Sequence, residues 1–124
     1  QPADVDYINT HGTSTGLGDK AESFAVANLF GDKTQNKKLK VSSTKSMTGH
    51  MLGAAGAIEA AFSVLTTMND VVPSTINLDN KDEEVANLDY VPNKAREHKV
   101  NYALSNSFGF GGCNAVLIFK KFED

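Results

Sequence analysis

The sequence predicts an α/β domain in which helices cover a mixed β-sheet, and three observations favour this class. Short β-prone runs alternate with helical runs through the 124 residues. One helical run near the middle is apolar on nearly every face, which is typical of a helix buried on both flanks. The last two β-prone runs, 100–106 and 114–122, follow each other closely and predict an antiparallel pair at the end of the chain.

The first elements are a strand at 5–9 (VDYIN), a helix, and a second strand at 39–44 (LKVSST). A polar stretch at 33–40 predicts a solvated loop before the second strand. In the helix, Asp19 and Glu22 resemble a capping box, and Gly31 suits the C-terminal stop. The helix assignment depends on apolar residues that recur at helical spacing. These residues are Leu17, Ala21, Phe24, Ala25 and Leu29.

The central helical run covers about 54–68, and small apolar residues occupy much of its surface outside one apolar stripe. Its one charged residue is Glu59, and burial of a carboxylate without a partner is costly. Glu59 therefore finds hydrogen-bond donors, reaches a polar cavity or lies exposed near the helix end. The stripe consists of Ile58, Phe62, Leu65 and Met68.

The rest of the chain predicts a surface turn, a short strand and a hairpin. The acidic stretch 79–84 is expected to be exposed, and residues 88–91 predict a strand that Pro92 ends. The connector of the final hairpin, 107–113, has seven residues. Because most hairpin loops have about two to five residues, this longer connector suggests a function.

Composition limits the classes of protein that this chain can represent. Its 124 residues permit one core and not two independent domains. A net charge of -3 without a block of Lys or Arg predicts neither a nucleic-acid nor a membrane partner. A single cysteine, Cys113, excludes an internal disulfide, and we expect it to be a small, partly buried filler. His98, in a polar stretch, is expected to be an ordinary surface histidine.

Glycines indicate where a functional site lies. Nine of the ten fall into three clusters, and His11 and His50 each stand next to a glycine of the first two clusters. Glycine gathers where the backbone takes a positive φ or approaches another group closely. We therefore expect the clusters to form one composite site. The clusters are Gly12, Gly16 and Gly18; Gly49, Gly53 and Gly56; and Gly109, Gly111 and Gly112.

Three segments in this order resemble the elongating β-ketoacyl-acyl-carrier-protein synthases: NTHGTSTGLGD, KSMTGHMLGAAGAIEA and NSFGFGGCN. The resemblance runs from about residue 4 to residue 119. It implies a thiolase-like fold with five αβαβα layers, of which residues 1–124 form the C-terminal half with a mixed sheet and a buried central helix. The half that carries the nucleophilic cysteine is absent from this sequence. A helix in that central layer needs packing partners on both flanks, and this half of the fold supplies the partner on one flank only.

The resemblance implies a decarboxylative Claisen condensation of an acyl thioester with malonyl-acyl-carrier protein in fatty acid elongation. His11 and His50 correspond to the catalytic histidine pair, whose Nε2–H groups bind the developing enolate. Lys45 corresponds to the active-site lysine, which without the motif would be taken for a surface residue. Glu59 corresponds to an acidic residue that orients Lys45 or a bound water.

The resemblance also implies substrate-binding residues. Thr13 and Thr15 correspond to hydroxyl residues that bind the phosphopantetheine arm, although alone they would pass for helix caps. Phe110 corresponds to a gating phenylalanine whose backbone N–H also contributes to an oxyanion hole. Phe108 is expected to pack beside Phe110, as a core anchor of the hairpin. No cofactor or metal is implied, since the acyl carrier protein brings its substrates on phosphopantetheine.

The implied partners are acyl carrier protein, the N-terminal half and a second copy in a homodimer. The expected location is the bacterial cytoplasm or an organellar matrix or stroma, as a soluble protein. The chain opens at Gln1 and not at Met, which is compatible with a processed protein and with a fragment of a longer one. The end of the chain soon after the last strand favours a free-standing enzyme. Two alternatives remain: a non-catalytic chain-length or carrier-protein-binding relative, and a zinc hydrolase that uses His11 and His50 with Cys113 or Glu59.

Overall fold

The main sheet of the described residues has four strands, and helices cover both of its faces. The computed structural model describes residues 1–31 and 38–123, so most of the predicted loop at 33–40 lies outside the described residues. The elements in chain order are β1 (Tyr7–Asn9), α1 (Gly16–Phe30), β2 (Lys40–Ser42), α2 (Lys45–Thr48), α3 (Ala55–Asn69), β3 (Val71–Val72), β4 (Arg96–Glu97), β5 (Tyr102–Gly109) and β6 (Cys113–Lys120), with 3-10 turns at Pro2–Asp4 and Leu52–Ala54.

The strand order of the main sheet is β2-β1-β5-β6. Strand β1 runs parallel to β2 and β5, and β5 runs antiparallel to β6, which confirms the predicted mixed sheet. β3 and β4 form a separate antiparallel pair. Because β1, β2 and β5 point the same way, their carboxyl ends meet at one edge of the sheet. The chain that follows β1 and β2 there carries His11 and Lys45, and Phe108 lies near the end of β5.

The two faces of the sheet bury separate apolar clusters, because successive side chains of a strand point to opposite faces. Ile8 of β1 points to the face that α1 covers, and Tyr7 points to the face that α3 covers. On the α1 side, Ile8 packs with Val5, Val26, Phe30, Leu39, Val41, Ala86, Leu88 and Leu104. On the other side, Tyr7 packs with Val72, Val91, Val100 and Ala103.

Helix α3 turns its polar side toward the sheet. The helix predicted at about 54–68 is present at Ala55–Asn69. The stripe residues Ile58, Leu65 and Met68 are exposed, Met68 by 66%, and Phe62 is half-buried. This chain therefore covers one flank of α3, as expected, and leaves the apolar flank open. The buried residues of α3 are Ala55, Glu59, Ser63, Thr66 and Thr67.

The open surface has two parts. The open flank of α3 consists of Ile58, Val64, Leu65 and Met68. Strand β6 lies at the edge of the sheet, and its side chains on both faces are exposed, including Val116, Leu117 and Ile118. An exposed apolar edge strand can pair with another chain, and a large apolar patch marks an interaction surface. No helix among residues 1–31 and 38–123 is long and apolar enough to span a membrane.

Helix α1 differs from its prediction in the face that it buries. The apolar residues that identified the helix do not face the sheet: Leu17 is 83% exposed, and Phe24 and Leu29 are also exposed. The residues on the adjacent side of the helix are buried instead, and two of them, Glu22 and Ser23, are polar. The apolar pattern identified a helix correctly but not its buried face. The buried residues are Glu22, Ser23, Val26 and Phe30.

The predicted capping box at the start of α1 is wrong. The helix begins at Gly16 with Thr15 as its N-cap residue, so Asp19 lies inside the first turn. The Asp19 carboxylate accepts the backbone N–H of Ser14, and Glu22 binds the loop that follows β1. Both carboxylates thus bind the chain before the helix. The predicted C-terminal stop at Gly31 is confirmed, with φ at +44°.

The hairpin connector is shorter than the sequence predicts. Strands β5 and β6 pair as far as Gly109 and Cys113, which leaves a three-residue turn, 110–112, and not the predicted seven-residue connector at 107–113. Gly111 and Gly112 both have φ near +80°, and these left-handed conformations allow the chain to reverse in three residues. Cys113 is exposed, so the prediction of a partly buried filler is wrong.

The segment between β3 and β4 also departs from its prediction. Residues 88–91 do not form a strand: Asp89 and Pro92 make one isolated bridge each. Val91, at φ +50°, turns the chain out of extended conformation there. The acidic stretch 79–84 is exposed as predicted. His98 is half-buried and not an ordinary surface residue, and its N–H donates to the carbonyl of Asp70.

Expressed alone, this chain should bind a hydrophobic dye and self-associate, because the open flank of α3 and strand β6 both expose large apolar side chains. Replacement of Leu65 and Met68 by serine should lower dye fluorescence without a loss of helical circular dichroism. Serine at Lys94 and Lys99, which are exposed, is the matched control and should change neither signal. A wild-type chain that stays monomeric and binds no dye would contradict this description of the surface.

Candidate active site

The loop after β1 is held by Glu22, a buried carboxylate on α1. Its Oε1 accepts the N–H of His11, and its Oε2 accepts the N–H of Gly12, both at 3.0 Å. From β5, the Nδ2 of Asn106 donates to Oε1 at 3.0 Å. Three donors thus offset the cost of burying this charge. The backbone of His11 is consequently fixed relative to both α1 and β5.

Gly12 lets this loop bend directly after His11. Its φ is +36°, and the Oγ of Ser43 donates to its carbonyl at 2.7 Å. A Cβ at residue 12 would lie 2.6 Å from Oγ1 of Thr10 and 2.7 Å from Cβ of Ser43. No larger residue fits without displacing those neighbours, so the glycine is required by close approach and not only by its φ.

His50 reaches the same place from the segment between α2 and α3. The ring centroids of His11 and His50 are 5.6 Å apart, and their planes make an angle of 84°. The N–H of Leu52 donates to Nδ1 of His50 at 3.0 Å. A ring nitrogen that accepts a hydrogen bond carries no proton, so neutral His50 has its proton on Nε2. The structure therefore brings the two predicted histidines together and directs the tautomer of one of them.

The imidazole of His11 is partly enclosed. Its Nδ1 is buried and has no hydrogen-bond partner among the described residues. Its ring packs against Phe108, with the centroids 5.4 Å apart. Burial lowers the pKa of His11, and the positive charge of Lys45 lowers it further, while Glu22 acts in the opposite direction. His11 is therefore neutral near pH 7.

A buried ion pair joins α2 to α3. The Nζ of Lys45 donates to Oε1 of Glu59, and the side chains of both residues are buried. Of the alternatives for Glu59, the structure thus supports the one in which the carboxylate finds a donor. Removal of one partner would leave an uncompensated buried charge, at a cost of about 3–5 kcal/mol. Because the segment between the partners carries His50, the pair limits where that ring can lie.

The remaining predicted residues are half-buried or exposed. The hydroxyls of Thr13 and Thr15 are 3.4 Å apart, and Thr15 caps α1 without a side-chain hydrogen bond. Phe110 stands in the hairpin turn and is fully exposed, while Phe108 is 37% exposed and contacts His11. Phe108 is therefore not the core anchor that the sequence predicts. Its substrate-binding role, like those of Thr13, Thr15 and Phe110, stays a prediction.

The zinc alternative finds no support in the geometry. Within residues 1–31 and 38–123, no three His, Cys, Asp or Glu side chains come together as a metal site. Cys113 is exposed on β6, and Glu59 is bound to Lys45.

Sequence reasoning missed the role of Glu22 and did not single out Asn106. Glu22 was assigned to helix capping because it follows Asp19 by three residues. A signal was present, since Glu22, Val26 and Phe30 recur at helical spacing and place a charge on a potential core face. The stronger stripe on the other side of the helix concealed that pattern.

Replacement of Glu22 by alanine should destabilise the fold, because three donors lose their acceptor and each buried unsatisfied group costs about 1–3 kcal/mol. Glutamine should cost less, since its carbonyl oxygen still accepts. The free energy of unfolding, measured by urea titration in a soluble polypeptide that includes this chain, checks both. Glu84→Gln, in an exposed pair with Lys20, is the control and should change little. Equal stability of Glu22→Ala and the wild type would refute this role.

Comparisons with known proteins agree with this architecture. Residues 1–79 match the family described as beta-ketoacyl synthase, C-terminal domain. The chain is 56% identical over 123 residues to 3-oxoacyl-[acyl-carrier-protein] synthase 2 of Staphylococcus aureus (strain COL), which covers 99% of this chain and 29% of that protein. It is 54% identical over 120 residues to a putative mitochondrial 3-oxoacyl-[acyl-carrier-protein] synthase of Schizosaccharomyces pombe, over 95% of this chain and 28% of that protein.

The fold is similar as well. A ketosynthase solved in complex with its type II PKS acyl-carrier protein superposes with a TM-score of 0.91 at 36% identity, over 99% of this chain and 29% of that chain. The predicted class, a thiolase-like α/β half with a mixed sheet, is thereby confirmed. The chain spans less than a third of the length of these relatives. It belongs to the β-ketoacyl synthase family, as a C-terminal domain.

Proposed function

We propose that this chain is the C-terminal half of an elongating β-ketoacyl-acyl-carrier-protein synthase. The reaction is the decarboxylative Claisen condensation of an acyl thioester with malonyl-acyl-carrier protein in fatty acid elongation. The convergence of His11 and His50 at one edge of the sheet is the observation that carries the proposal. Family membership and the names of the relatives support it.

The two histidines act where negative charge develops. As the bond between the malonyl carboxylate and its α-carbon breaks, carbon dioxide leaves and the electron pair of that bond passes into an enolate. N–H donors that point at the enolate oxygen stabilise it more than the starting thioester, which accelerates this step. His50 already has its proton on Nε2, and His11 is neutral near pH 7 and supplies a second N–H. The enolate carbon then attacks the acyl carbonyl on a cysteine outside this chain and expels the thiolate.

Supporting roles follow from position. The Lys45–Glu59 pair holds the segment that carries His50 and places a cation near His11. Just before α1, Thr13 and Thr15 bind the phosphopantetheine arm that brings the malonyl group. Phe110 gates the entrance from a glycine-flanked turn, where its side chain can swing at little backbone cost. The acyl carrier protein delivers the substrates, and the reaction uses no separate cofactor and no metal.

In the proposed enzyme, an N-terminal half covers the open flank of α3. That flank is apolar and exposed, and the relatives are more than three times as long as this chain. Acyl carrier protein and a second copy in a homodimer are the other proposed partners. The proposed location is the bacterial cytoplasm or an organellar matrix or stroma, in line with relatives from a bacterium and a mitochondrion. A non-catalytic chain-length relative would lack the cysteine in the other half.

In the full-length enzyme, His11→Ala or His50→Ala should slow malonyl decarboxylation about 100-fold or more, because each removes a donor to the enolate. Acyl transfer onto the cysteine should fall by a smaller factor. Release of labelled carbon dioxide and labelling of the enzyme with acyl groups measure the two steps separately. His98→Ala is the control histidine and should alter neither rate. Equal losses in both steps for both variants would count against these roles.

Phe110→Ala should uncouple the gate, so that acyl loading becomes unselective or condensation slows, with little change in thermal stability because the side chain is fully exposed. Loading rates across acyl chain lengths and the melting temperature check this. Phe122→Ala, exposed at the other end of the hairpin, is the matched control. A Phe110→Ala enzyme with normal loading and condensation would remove the gate from the proposal.

A further inference from the structure

The two histidines differ in how their rings are oriented. The ring of His50 is tied through Nδ1 to the N–H of Leu52. The Nδ1 of His11 is buried, and no described residue binds it. A catalytic histidine is usually oriented by a hydrogen bond to its second nitrogen. Since the described residues supply none to His11, its ring must be oriented in another way.

Packing supplies that orientation. The ring of His11 packs against two other rings: His50, in an edge-on arrangement at 5.6 Å, and Phe108, tilted by 54° at 5.4 Å. His50 lies in a segment outside any helix or strand, so its backbone is the less fixed of the two neighbours. Phe108 lies inside β5 and pairs with Asn114 of β6, so its backbone is held by the ladder.

Strand β5 therefore positions both the backbone and the ring of His11. Residues two apart in a strand point to the same face, so Asn106 and Phe108 project together. Asn106 binds Glu22, which in turn holds the backbone N–H of His11. Phe108 contacts the imidazole itself. One rigid strand thus fixes the backbone of His11 through Asn106 and the ring through Phe108.

We propose that Phe108 is a positioning residue that holds the imidazole of His11 at the angle needed to donate to the enolate. This inference rests on the proposed function and gives Phe108 a role distinct from that of Phe110. Phe110 follows by two residues but lies in the turn, fully exposed and outside the paired part of the strands. Phe108 acts through His11 and needs no contact with the substrate. Misplacement of a reacting group by about 1 Å can cost about 100-fold in rate.

The test uses Phe108→Leu in the full-length enzyme, with Phe108→Tyr as the conservative variant that keeps the ring and Phe122→Leu as the remote control. Malonyl decarboxylation by Phe108→Leu should fall about 10- to 100-fold in kcat with little change in KM, while acyl transfer onto cysteine stays within about 2-fold. Phe108→Tyr should restore most of the decarboxylation rate. In a His11→Ala background, Phe108→Leu should have almost no further effect.

A second measurement does not depend on activity. In a histidine-labelled enzyme, Phe108→Leu should remove the ring-current shift of the His11 resonance and raise the pKa of His11 toward its ordinary value, because burial is the main cause of the lowering. The charged and titratable groups around His11 are unchanged in this variant: Lys45, Glu22, His50 and Glu59. If Phe108→Leu is unstable, Phe108→Met replaces it, and rates are expressed per folded enzyme.

Three results would overturn the inference. These are wild-type decarboxylation in Phe108→Leu, equal loss of decarboxylation and acyl transfer, and an unchanged His11 resonance, which would mean that another residue orients the ring. A wild-type enzyme that does not decarboxylate malonyl-acyl-carrier protein would instead refute the proposed function. The nuclear magnetic resonance result stands apart from that outcome and still decides whether Phe108 packs on the ring of His11 and encloses it.

Discussion

The candidate site depends on one buried carboxylate, that of Glu22. A charge on the inner face of α1 is tolerable because the loop after β1 gives it two backbone N–H groups and β5 gives it the amide of Asn106. The same bonds decide where His11 stands. Helix α1, the loop after β1 and the interior strand β5 are thereby joined at a single point.

A buried ion pair positions another part of the site, on the other side of the sheet. Lys45 and Glu59 join α2 to α3, and His50 lies between them in the chain. Glu59 belongs to the polar side that α3 turns toward its own sheet, while the apolar side of the helix is open. The buried side of α3 therefore carries a residue of the site, Glu59. The apolar flank is available to bind the part of the protein that completes the fold.

Much of this was predictable from the sequence, and the two main failures have separate causes. The mixed sheet, the helix at Ala55–Asn69 and the meeting of His11 with His50 follow from local patterns and motifs. The buried face of α1 did not, because its apolar stripe, which includes Leu17, is exposed while Glu22 is buried. Apolar periodicity shows that a face avoids water but not which neighbour covers it. The three-residue hairpin turn was missed because the strands continue into residues that resemble a loop.

In the proposed reaction, His11 and His50 donate to one and the same oxygen, that of the enolate. A crystal structure of the full-length enzyme with a stable analogue of the malonyl enolate tests this most directly. We expect the Nε2 atoms of both histidines to lie about 2.7–3.1 Å from the enolate oxygen of the analogue. A complex in which only one histidine reaches that oxygen, or in which the analogue binds away from both rings, would contradict it.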